Sequence, residues 1–193
     1  IVIGLALFAF IAGDAWKVLQ PHQSQDVGEV NGETISAQDF QALVEEYTEV
    51  VKFSSGMNAL SDEQTNQIKD EVWRAYVNNK LIENEAEKLG LTVSKAELQA
   101  IIDAGAHPML QQTPFRNPQT GAFDKDMLKK FLVDYSKMNK AQMPAQYAEY
   151  YESMYNFWAF VEKSLIQARL QEKYQALITK SLFSNPVEAE DAF

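Results

Sequence analysis

A chain of 193 residues is long enough for one medium domain or two small ones. Its formal net charge of −10 argues against nucleic acid as a partner and makes the surface repel anionic lipid headgroups. It contains no cysteine, which removes disulfides and thiolate chemistry from consideration.

The chain opens on IVIGLALFAFIA, an apolar run interrupted only by Gly4 and followed by Gly13, Asp14, Ala15 and Trp16. As a helix this run rises about 18 Å, short of the roughly 30 Å hydrocarbon core, so about six to ten further residues upstream would complete a span. Three readings fit it: the end of a transmembrane helix, the core of a signal peptide, or a buried soluble helix. The absence of charge and the interfacial Trp16 favour the first, and no A-x-A-like cleavage site follows for the second. Residues 1–18 are therefore expected to end an anchor, with Ile1, Leu5, Phe8, Phe10 and Trp16 in the membrane. Lys17 is the only Lys or Arg before Lys52, so the following domain is expected to face away from the cytoplasm.

Residues 19–26 are polar and read as a linker, and a helical domain is expected over residues 27–185. Val27 to Ile35 alternates about Asn31-Gly32, which predicts a β-hairpin. Ser36 is a candidate N-cap for a helix with Phe40, Leu43, Val44 and Tyr47 on one face, closed near Gly56. Ser61 and Gln64 form a capping-box pattern. They open a helix whose buried stripe is expected to be Ile68, Val72, Trp73, Tyr76, Leu81, Ile82, Ala86 and Leu89, with Gly90 at its left-handed end. Ser94 and Glu97 repeat the pattern before Leu98, Ile101 and Ile102, with a stop near Gly105 and Pro108.

Residues 106–122 hold three prolines and a glycine and are expected to be loop. Near Asp124 a short helix begins, with Met127, Leu128, Phe131, Leu132 and Tyr135 on its apolar side. From Ala145 to Asn185 there is neither Gly nor Pro, which predicts one helix of about 60 Å. A small bundle cannot cover such a helix throughout. It must cross between lobes, pack on a following domain or expose a face. Asn185-Pro186 ends it, and residues 186–193 begin a connection.

DVGEVNGETISAQDF (26–40), LIENEAEKLGLTVSKAEL (81–98) and GAFDKDMLKKFL (121–132), with the apolar start, resemble the N-terminal part of the PpiD-like proteins, membrane-anchored relatives of SurA. The order also matches, from anchor and hairpin through helices to a long return helix and Asn-Pro. The resemblance implies a mainly α fold: a SurA-like N-terminal helical chaperone domain with a short β-hairpin at its start. It also implies a single-pass protein of the inner membrane whose domain faces the periplasm. Such a protein holds unfolded exported polypeptides near the Sec translocon. In that family parvulin-type peptidyl-prolyl isomerase domains are inserted in or follow the chaperone region. Residues 186–193 would lead toward one.

No catalytic constellation stands out in these residues, and no cofactor or metal is expected. His22 and His107, the only histidines, lie in polar or loop segments without a sequence partner. Glu45-Glu46 and Glu188/Glu190 read as solvated faces, and Gly28 to Gly32 has the wrong spacing to cradle phosphate. The candidate surface is aromatic. Tyr147, Tyr150, Tyr151, Met154, Phe157 and Trp158 crowd the start of the long helix, more than one helical face hides. Tyr147, Tyr151, Met154, Trp158 and Val161 follow one stripe, while Tyr150, Phe157 and Phe160 project elsewhere. Such residues suit variable apolar clients, though they equally suit a core beneath the helix. The alternative is an adaptor that docks on a membrane complex without binding clients.

Overall fold

The computed structural model describes residues 26–139 and 142–182. The expected anchor residues Ile1, Leu5, Phe8, Phe10 and Trp16, nearly all of the linker, His22 and residues 186–193 lie outside them. Asn31 (φ 53°) and Gly32 (φ 84°) supply the two positive φ values of a tight hairpin turn. Around it β1 (Asp26–Val30) and β2 (Glu33–Ser36) pair antiparallel, with Val30 opposite Glu33 and Gly28 opposite Ile35. Val30 and Ile35 are buried. Gly28 seats the hairpin against the Trp73 ring, which a Cβ at that position would strike.

The helices start where their caps predict. Ser36 Oγ accepts the Asp39 amide at 3.1 Å and opens α1 (Ala37–Ser55), which Gly56 closes at φ 66°. Ser61 and Gln64 cap each other's backbone at the head of α2 (Asp62–Lys88). At its end Leu91 donates to the Ala86 carbonyl at 2.8 Å and Gly90 to Glu87 at 3.0 Å, a Schellman closure. Ser94 and Glu97 box the start of α3 (Lys95–Ala104). Asp124 Oδ1 accepts the Asp126 and Met127 amides to open α5 (Lys125–Lys137).

Two expectations need correction. Residues 106–122 are not loop throughout, because Pro108 begins a single turn, α4 (Pro108–Gln111). Proline at the first helical position forfeits no hydrogen bond, and Leu110, at 0% exposure, anchors the turn in the core. The stripe on α2 also fails in part: Leu81 and Leu89 are exposed, whereas Ile68, Val72 and Ala86 are buried. At about 100° per residue, Leu81 falls roughly 220° around the helix from Ile68, and Ala86 returns to Ile68's face. Leu89 caps the helix end instead of packing under it.

The spine is α6 (Ala145–Leu182), 38 residues and about 57 Å long. The main core gathers Val50 of α1, Leu98 and Ile102 of α3, Leu110, Phe115, three residues of α5, and Phe157, Trp158, Val161 and Leu165 of α6. A second cluster, Val44, Ile68 and Val72, joins α1 to α2. Polar ties fix α6 further along. Lys163 meets Glu46 at 3.5 Å, Gln167 donates to Glu83, and Lys173 reaches both Glu97 and the Thr92 carbonyl. Burial on α6 ends with Leu170, and residues 175–180 are exposed. Among the described residues no helix is long and apolar enough to cross a membrane.

Candidate functional site

The aromatic cluster at the start of α6 divides by depth. Trp158 and Phe157 belong to the core, at 2% and 6% exposure. Trp158 meets Phe115 edge-on at 6.0 Å, and Phe157 packs on Phe53 of α1 at 5.2 Å. The expectation that Phe157 projects away from the buried face is therefore corrected, and neither of these two side chains is presented to a partner. α6 is enclosed from more than one side, by α1 as well as by α5, so a single stripe underestimates what it buries. Phe160 shows the same effect, half-buried against Tyr47 at 5.6 Å.

Tyr151 and Met154 are half-buried against the core. Tyr151 stacks on Phe131 at 6.0 Å, and Tyr155 stacks on Tyr135 at 4.3 Å and 8°. Tyr147 and Tyr150 are exposed, at 60% and 52%. Their helical positions explain this. Tyr150 lies seven residues before Phe157, on the same face, but α1 stops at Ser55, and from α1 the Phe53 ring reaches it at 6.1 Å. Tyr147 likewise shares the face of Trp158 and Met154, seven residues before Met154. The buried stripe thus runs out of its cover and emerges as an aromatic edge. Tyr151 meets Tyr150 at 90° and links that edge to the core.

One further group was not expected from sequence. Glu162 is 8% exposed, and its Oε1 is buried without a hydrogen-bond partner. Burial pushes its carboxyl up to about 7. The signal was present: Glu162 stands one turn from Trp158 and three residues before Leu165, on the face they bury. By contrast Glu97 is held down at about 2, first by the Ser94 amide and then by Lys173. His107 caps α4, its Nδ1 accepting the Met109 amide at 3.3 Å.

Among the described residues no group of His, Asp or Glu is arranged to hold a metal ion. A depression of about 260 Å³ lies between Ile102, Asn117, Phe123 and Lys125. The Lys125 ammonium beside it is already paired with Asp103 at 3.0 Å. The arrangement is suited to contact, through exposed aromatic rings on a firmly packed base.

A family model described as the SurA-like N-terminal domain matches residues 1–132. The match ends at the last buried leucine of α5, so the spine helix α6 lies beyond it although it supplies a large share of the core. No curated protein and no solved structure matches the chain.

Proposed function

The chain belongs to the SurA-like N-terminal domain family, a chaperone-type module, and we propose that it holds unfolded exported polypeptides on the aromatic edge of α6. The observation that carries this is the exposure of Tyr147 and Tyr150 on a stripe whose continuation is core. Rings fixed by a packed helix lose little entropy on contact, and their flat faces accept apolar side chains of any sequence.

The contact is weak by design of its area. A half-exposed tyrosine offers about 100 Å² of surface, worth roughly 2.5 kcal/mol if fully covered. Two of them give about 5 kcal/mol before the cost of ordering the client, a dissociation constant in the submillimolar range or weaker. Holding then depends on several such contacts along one extended client, with no covalent step and no nucleotide.

The finer reading is a PpiD-like protein of the inner membrane. Its anchor would be residues 1–18, its domain would face the periplasm near the Sec translocon, and parvulin-type isomerase domains would belong to the same protein. The apolar start of the chain and a flank whose only Lys or Arg before Lys52 is Lys17 support this reading.

The test is suppression of aggregation of a chemically unfolded substrate. Tyr147→Ser combined with Tyr150→Ser should lose at least half of the suppression while keeping helicity and melting temperature. Unchanged suppression would remove the edge from the mechanism. Suppression undetectable even in the unsubstituted protein would leave the adaptor reading instead.

A further inference from the structure

We infer that Glu162 is a proton-operated latch on the spine helix: protonated it lets α6 seat fully in the core, and ionised it loosens that seat. The inference starts from position. Glu162 lies between Trp158 and Leu165, two of the most deeply buried side chains of α6, and is itself 8% exposed. Its buried Oε1 finds no donor. A carboxylate in that position has lost most of its water, and no donor reaches its Oε1, so its negative charge is opposed by the packing around it.

Charges on the elements around α6 do not relieve it. On α1, Glu46 is engaged by Lys163. On α2, Glu83 takes the Gln167 amide and lies 3.9 Å from Lys80. On α3, Glu97 is held by Lys173 and Arg169. On α4, His107 is committed to its own helix cap. On α5, Tyr135 stacks on Tyr155 of α6, whose phenol is raised first by burial and then by Tyr135 and Glu162. Among those residues no cation pairs with Glu162.

The direction follows from the two states. In the unfolded or unseated chain the carboxyl titrates near 4.5, and in the seated helix near 7. Below about pH 4.5 it is protonated in both, and no penalty exists. Between there and pH 7 the seated state binds the proton more tightly, so the seat weakens as pH rises. Above pH 7 the full penalty applies, an upper limit of about 300-fold in the seating equilibrium. What loosens is the part of α6 that carries Trp158 and the stacked Tyr155, directly below the aromatic edge. The latch is a property of the packing, independent of whether that edge holds clients.

The experiment is amide hydrogen exchange of the segment 151–166, from pH 5 to pH 8 and corrected for intrinsic rates, in the unsubstituted protein and in Glu162→Gln. Protection of this segment should fall by at least tenfold across that range in the unsubstituted protein and stay level in Glu162→Gln, with the two within about fourfold of each other at pH 5. Melting temperature gives a second readout: Glu162→Gln should melt higher at pH 8 and equally at pH 4.5. Protection that is level in both proteins, or that falls equally in both, overturns the latch. So does a Glu162→Gln variant destabilised by the same amount at every pH, which would make the carboxylate a structural partner.

Discussion

Leu165 and Leu177 offer a controlled comparison on one helix, the same residue type three turns apart, at 1% and 40% exposure. Truncating Leu165 to alanine removes apolar contacts with the core and leaves a void enclosed by close-packed neighbours. Leucine-to-alanine changes at such sites cost about 2–5 kcal/mol, and more where the site cannot collapse. With Trp158 and Val161 on the same face and the core on the other side, we expect Leu165→Ala to cost about 3–4 kcal/mol. At Leu177 the space is open to water, so no cavity forms, and alanine's better helix propensity offsets part of the lost contact. Leu177→Ala should cost less than about 1 kcal/mol. Equilibrium urea unfolding measures both. With a slope near 2 kcal/mol/M, Leu165→Ala should lower the midpoint by about 1.5–2 M and Leu177→Ala by less than about 0.5 M. Equal shifts would mean that packing on α6 does not end near Leu170.

A methyl group at Gly28 would strike the Trp73 ring, so Gly28→Ala should cost about 1–3 kcal/mol, most of it recovered when Trp73→Leu is added. A neutral Gly28→Ala in thermal melts would show that the hairpin is not seated on that ring. Glu97 is held at about 2 by the Ser94 amide and Lys173, so its folded value lies below its unfolded one. The stability it contributes is present above about pH 4.5 and lost as pH falls toward 2. The gap between the unsubstituted protein and Glu97→Gln should therefore close toward pH 2, and a gap of constant size would exclude the pairing. Trp158→Ser should behave unlike the tyrosine pair: it should unfold or strongly destabilise the domain, whereas Tyr150→Ser should leave the melting temperature within a few degrees.

Local chemistry made much of the fold legible. Ser36, Ser61, Ser94 and Asp124 each cap the helix that their spacing predicts, because a cap is decided within four residues. Asn31-Gly32 is legible for the same reason, since only such a pair accepts two positive φ values cheaply. Depth was less legible. Phe157 and Tyr150 occupy the same helical face, and only the point where α1 stops decides that one is core and the other surface. Leu81 looked buried because it is apolar, although its angle around α2 points away from Ile68. A lone glutamate in a helix ordinarily marks a solvated face, so nothing in the local pattern singles out Glu162. Its burial follows from the packing of the other elements about α6, which no local pattern encodes. From sequence Pro108 reads as a stop; it is a start, because Leu110 two residues later is buried in the core.

Holding on the aromatic edge requires that unfolded chains touch the first turns of α6. A photoreactive phenylalanine analogue placed in turn at Tyr147, at Tyr150 and at the exposed Lys69 of α2 tests it directly, with an unfolded client present during irradiation. Strong client crosslinks should come from positions 147 and 150 and few from 69, competed away by a second unfolded chain. Equal crosslinking from all three positions, or none from 147 and 150, would contradict it.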